Sequence, residues 1–253
     1  MGDAWRLAVG TLTALKVRPP SSVADPVPGR AVLLAPLAVL PLGVAVVLVG
    51  LLGQALDLPH LATAFAALGV LALGTRVLHW DGLSDTVDGL TASYDPERSL
   101  AVMRSGTSGP AGVVATVVVA GLQVSGLAAL LDTPGGACLA GLAVCASRAS
   151  LAVACLHGVP AARREGLGNP LAGRVPLRWA VLTWAAVAVA VALTLAAVVV
   201  DVSWWRGLLA ALAALAVVSV LVRHAVRRLG GVTGDVFGAC VELSLAALLV
   251  VLA

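Results

Sequence analysis

Apolar residues run along this chain in long blocks separated by short polar stretches. The blocks lack the strict alternation of half-buried strands. Seven stand out, at about 31–52, 61–78, 111–131, 136–157, 179–200, 204–222 and 236–253. Each is long enough to cross about 30 Å of hydrocarbon as a helix. They are rich in Ala, Val, Leu and Gly, which suits close helix packing in lipid, and Pro36, Pro41 and Gly43 predict a kink in the first. The pattern therefore predicts an all-α fold, a polytopic integral membrane bundle of about seven transmembrane helices, forming one domain over 1–253. Ahead of the first block, Trp5, Ala8, Val9, Leu12 and Leu15 recur at helical spacing, so residues 1–30 are expected to hold a short interfacial helix.

Composition strengthens this reading. The 253 residues are 60% hydrophobic and 11% charged, with a mean hydropathy of +1.03, more apolar surface than one soluble core can hide. Asp3 and Arg6 interrupt the N-terminal stretch before Lys16, which argues against a cleaved signal peptide. Cys138, Cys145, Cys155 and Cys240 lie in apolar stretches without metal-ligand spacing and read as packing residues. With a cytoplasmic N-terminus, all sixteen Lys and Arg residues except Arg206 fall on the cytoplasmic side, and the outer loops carry Asp57, Asp132 and Asp201. The expected location is the cell membrane, with the chemistry on its cytoplasmic face.

Four polar segments on that face carry candidate chemistry. In HWDGLSDTVDG (79–89), Asp81, Asp85 and Asp88 are spaced i, i+4, i+7, on one face of a helix continuing past the second span. Three like charges repel, and a hard divalent cation, Mg²⁺ or alternatively Mn²⁺, removes that repulsion while bridging phosphate oxygens. His79 beside them is a candidate proton carrier. The loop ARREGLGNP (161–169) supplies Arg163 and Arg164, with a turn through Gly166, Gly168 and Asn169 whose backbone N–H groups suit an anion. The segment RRLGGVTGDVFGACVE (227–242) offers Thr233 or Asp235 as a helix cap, and places Glu242 about two turns into the bilayer. There an ionised group costs about 2.5–3.5 kcal/mol, which makes Arg148 its expected partner. Finally, MRSGTSGPAG (103–112) puts Arg104 ahead of a Gly/Ser/Thr loop able to cradle phosphate. Together these point to metal-assisted chemistry on a phosphorylated substrate.

HWDGLSDTVDG, RREGLGN, GGVTGD and GACVE, in this order, resemble the adenosylcobinamide-GDP ribazoletransferases, the cobalamin synthases of prokaryotes, over nearly the whole chain. The resemblance implies a Mg²⁺-dependent membrane enzyme joining adenosylcobinamide-GDP to α-ribazole or its 5′-phosphate, releasing GMP. It assigns the acidic block to Asp81, Asp85 and Asp88, a substrate-binding turn to Glu165–Gly168, and a further segment to Thr233, Gly234 and Asp235. The expected partners are these two substrates and the bilayer, not nucleic acid, with room for homo-oligomers or association with other enzymes of the pathway. Two departures stand out. Ser105 occupies the place of a family aspartate after Arg104, and the family's L-P-V-P is here Leu15-Lys16-Val17-Arg18-Pro19. Asp85-x-x-Asp88-Gly89-x-x-Ala92 also matches the start of the CDP-alcohol phosphotransferase motif, but Ser93 stands where that motif has Arg. A transporter or non-catalytic corrinoid scaffold is the alternative from another class. The charges crowd one interface without an internal repeat, unlike most transporters.

Overall fold

The computed structural model describes residues 2–198 and 204–253, and the outer-loop Asp201 lies outside them. Among the described residues the regular structure is entirely helical. Six stretches are long and apolar enough to cross a membrane: Val27–Ala55, Pro110–Leu130, Pro134–Ala154, Leu177–Val198, Trp205–Leu229 and Gly234–Leu252. The first comprises α2 (Val27–Ala38) and α3 (Leu40–Ala55), broken at Val39 between Pro36 and Pro41, as the prolines predict. Ahead of it, α1 (Gly2–Leu12) lays Ala4, Ala8 and Val9 against α2, while Trp5 stays exposed.

The expected second span is where sequence and structure part. α4 (His60–Gly74) and α5 (Leu78–Ala92) meet at 89°. The acidic helix is therefore no straight continuation of a span. At the joint, Arg76 and Val77 both have left-handed backbone, at φ 56° and 62°, a conformation that costs a residue with a Cβ about 1–2 kcal/mol. The tertiary packing of the two helices overrides local preference here.

α6 (Pro96–Val102) and a loop lead into α7 (Pro110–Leu130). α8 (Pro134–Ser147) and α9 (Ser150–Ala154) form the most enclosed span, and α10 (Gly168–Leu171) is one short turn. α11 (Leu177–Val198), α12 (Trp205–Leu229) and α13 (Gly234–Leu252) complete the chain. α8 and α13 make the core, and glycines let their neighbours approach. A Cβ on Gly43 of α3 would lie 2.7 Å from the Gly141 carbonyl of α8, and the reverse holds for Gly141.

One end of the bundle gathers the start of α2, the end of α5, the start of α7, the loop after α9 and the turn between α12 and α13. Arg228 bonds to Ser93, Asp88 to Gly112, and Ala162 to Val232. The opposite end carries His60, 3.3 Å from Asp132. The polar motifs thus converge on one end.

Candidate functional site

α5 carries the acidic block, and its three carboxylates differ in surroundings. Asp81 is exposed, Asp85 half-buried and Asp88 buried. Asp88 accepts from the Gly109 amide at 2.6 Å through one oxygen and from the Gly112 amide at 2.8 Å through the other. Gly109 is the N-cap of α7 and has no side chain to satisfy that helix's first N–H groups. Asp88 does so from another helix, its charge aligned with the positive end of the dipole. The structure therefore separates a capping carboxylate from two freer ones.

The loop after α9 is pinned at both ends. Leu156 bridges Val175, and Ala161 bridges Val232 just ahead of α13. Its Arg163 thereby reaches α13, where Nη2 donates to Asp235 Oδ2 at 2.7 Å. The Thr233 hydroxyl lies 3.1 Å from the same oxygen and accepts from the Val236 amide at 3.3 Å. Of the two candidate caps, Thr233 is the one used. Asp85 feels the charges of Asp81, Asp235, Asp88 and Arg163, so segments far apart in sequence share one electrostatic neighbourhood. Gly82 and Gly238 permit it. A Cβ on Gly82 would stand 2.7 Å from the Asp235 carbonyl, and one on Gly238 would stand 2.9 Å from that of His79.

Behind the Arg163–Asp235 pair lies a cavity of about 180 Å³. His79, Arg163, Glu165, Gly166, Gly168, Thr233, Gly234 and Asp235 all line it. Arg104, Arg164 and Asn169 are exposed and do not line it, and Glu242 is buried behind it. Four sequence motifs thus divide into a cavity wall and a periphery.

The family profile described as cobalamin-5-phosphate synthase matches residues 4–253. The chain belongs to the cobalamin-5-phosphate synthase family. A protein named adenosylcobinamide-GDP ribazoletransferase from Nocardioides sp. is 57% identical over 249 residues, covering 98% of this chain and 97% of that protein. Proteins of the same name from Pseudomonas aeruginosa strain PAO1 and Frankia casuarinae are 39% and 35% identical, covering 100% and 98% of this chain and 100% and 93% of their own lengths. No solved structure matches. A family match over 4–253 leaves the partial likeness to CDP-alcohol phosphotransferases without support.

Within this chain, the expected Glu242–Arg148 pair is not made. Arg148 Nη1 donates to the Val144 carbonyl and the Ser147 hydroxyl, both at 2.9 Å. Glu242 instead accepts from Gln123 Nε2 at 2.7 Å, with His79 Nδ1 at 3.7 Å. Arg148 satisfies its own helix's free carbonyl, while α7 brings a neutral amide against Glu242. Gln123, a polar residue inside an apolar block, was the available signal. Arg228 is one of the cytoplasmic-side cations in the sequence, and the structure gives it a further task. Its Nη2 donates to the Leu90 and Ser93 carbonyls at 3.1 and 2.7 Å, and its guanidinium stacks over Tyr94, tying down the end of α5.

Among the described residues, no three His, Cys, Asp or Glu side chains stand together as a metal cage. The donors nevertheless suit Mg²⁺. Asp81 and Asp85 are hard carboxylates one helical turn apart, and Mg²⁺ is usually held by one or two carboxylates together with substrate phosphate oxygens. Asp88 keeps further lone pairs, but its carboxylate is already engaged with α7.

Proposed function

We propose that this chain transfers the phospho-adenosylcobinamide group of adenosylcobinamide-GDP to α-ribazole or its 5′-phosphate, giving adenosylcobalamin or its 5′-phosphate and GMP. The observation carrying this reading is the Arg163–Asp235 pair lining the cavity, with the acidic helix packed at Gly82 directly against the Asp235 backbone. The relatives' printed name supplies the substrate class. In the reaction, a ribose hydroxyl oxygen of the acceptor attacks the phosphorus bonded to cobinamide. The P–O bond to GMP breaks in line, and the hydroxyl proton leaves.

Asp81 and Asp85, with Asp88 behind them, would hold Mg²⁺, or Mn²⁺ in its place, which offsets the negative charge of the diphosphate and of the departing GMP. Arg163 presents positive charge to the same phosphates, and Arg164 and Arg104 add to it from the periphery. The Gly166–Asn169 turn offers backbone donors. Asp235, held by Arg163 and Thr233, is positioned to take the hydroxyl proton, with His79 the second candidate. Glu242 lies behind the wall, 3.7 Å from His79 Nδ1. The N-terminus and this end of the bundle are cytoplasmic in a multi-pass cell-membrane protein, a reading supported by the Lys and Arg distribution.

The test is GMP release from adenosylcobinamide-GDP plus α-ribazole by purified protein in liposomes, with Mg²⁺ and then with chelator. Turnover that requires the metal supports the proposal, and folded protein without turnover rejects it. Asp85→Asn is expected to lower turnover at least about 100-fold. Its folding should be unchanged, since the Asp85 side chain makes no hydrogen bond within the described residues. Undiminished turnover of that variant at saturating Mg²⁺ would remove Asp85 from the site.

A further inference from the structure

The cavity behind Arg163 and Asp235 changes character from one end to the other. Its mouth holds Arg163, Glu165, Thr233 and Asp235, the buried His79 lines it from the start of α5 with Nδ1 unpartnered, and its inner wall is built from α1, α2 and α9 with Leu7, Ala8, Leu12, Val32 and Leu151. Thr11 is the polar side chain those three helices contribute, and its hydroxyl already donates to the Leu7 carbonyl at 2.7 Å. An inner wall of this kind takes an aromatic surface without polar edges. A base with keto and amino groups would lose hydrogen bonds to water that the wall does not replace.

We propose that this inner cavity binds the base of the acceptor nucleoside, a flat, bicyclic and largely apolar aromatic, with the ribose turned towards Arg163 and Asp235. The proposal rests on the ribazole transfer proposed above and assigns it a subsite. Guanine of the GDP moiety is the poorer occupant because its edge carries keto and amino groups. The corrin macrocycle is a poor occupant of the inner cavity, whose volume of about 180 Å³ is small for so large a ring. At the mouth, Arg163 Nε is buried and without a partner while Nη2 is held by Asp235. A donor is thus left for a ribose or phosphate oxygen entering on this side. A nucleoside seated in this way puts its ribose hydroxyls next to the Asp85 neighbourhood. The nucleoside and its 5′-phosphate share the base, so both use the subsite.

The depth of the subsite is set by small side chains, among them Ala8 on α1, which is almost fully buried. Steady-state GMP release by the full-length protein in liposomes is the readout. Ala8→Leu fills the inner wall and is expected to raise KM for α-ribazole about tenfold or more, since one or a few methylenes decide fit in an apolar pocket. KM for adenosylcobinamide-GDP should stay within about twofold, and a nucleoside of unsubstituted benzimidazole should lose less than α-ribazole. A rise in KM for adenosylcobinamide-GDP alone, or no rise for α-ribazole, overturns the subsite while the transfer reaction stands. Absence of turnover in the unsubstituted protein overturns the transfer itself. Should the variant fail to fold, a photoreactive azidobenzimidazole ribonucleoside is cross-linked to the unsubstituted protein and the labelled peptides are mapped. Labelling within residues 2–12, 27–38 or 150–154 upholds the assignment, and labelling confined to other segments rejects it.

Discussion

Asp88 on α5 accepts the Gly112 amide of α7 at 2.8 Å, and its other oxygen takes that of Gly109. One acidic residue thereby closes a helix that has a glycine at its N-cap. Asp88→Ala leaves buried N–H groups unsatisfied and is expected to destabilise the fold by about 1–3 kcal/mol. Asp88→Asn retains one acceptor and should cost less. Thermal unfolding in detergent checks this, and a midpoint for Asp88→Ala equal to the unsubstituted protein's would rule out the capping role.

Arg163 and Asp235 are each partly buried, so removing one strands the other. The double variant Arg163→Ala/Asp235→Ala should destabilise less than the sum of the two single variants, with a coupling of about 0.5–3 kcal/mol in a double-mutant cycle. Arg163→Ala also leaves Asp235 facing Asp81 and Asp85 without a counter-charge. It is therefore expected to reduce turnover more than it reduces the unfolding midpoint. Strictly additive effects would show that the pair does not act as a unit.

The close approach of α5 to α13 depends on Gly82. Gly82→Ala drives a methyl to 2.7 Å from the Asp235 carbonyl and should cost about 1–3 kcal/mol by overpacking, lowering activity as Asp81 and Asp85 move away from Asp235. Gly69 on α4 is the control, because a Cβ there meets nothing within 4 Å. Gly69→Ala is expected to be neutral or to stabilise by up to about 1 kcal/mol through helix propensity. Equal midpoints for the two variants would contradict the packing account.

Val77 makes the bend between α4 and α5 with left-handed backbone, and its side chain is 47% exposed. Glycine relieves about 1–2 kcal/mol of that strain and gives back up to about 1 kcal/mol in unfolded-chain entropy. Val77→Gly should therefore unfold no earlier than the unsubstituted protein. A clearly lower midpoint would mean that the valine side chain contributes packing that outweighs its backbone strain.

The helices were legible because hydrophobic block length is a local property, and the break near Val39 was legible because proline acts on its own turn. Asp81, Asp85, Arg163 and Asp235 could be picked out as ionisable residues in a chain with few. Glu242 does not pair with Arg148, the expected partner. Sequence gives depth in the bilayer but not which helix stands alongside, and the neighbour turned out to be Gln123 of α7. Arg228 looked like an orienting charge, since nothing local shows that the end of α5 lies beside the end of α12.

By itself, then, the sequence determined an all-helical membrane bundle, the gathering of charge towards one end and the family, because hydropathy and motif spacing are written along the chain. Only the tertiary structure decided that the acidic helix turns 89° from α4, that Asp88 caps α7 while Asp81 and Asp85 stay free, and that Arg163 meets Asp235 at the mouth of an apolar cavity. The last two relationships join residues more than 20 positions apart, and the bend, though local, is held by what each helix packs against, information that no single stretch of sequence carries.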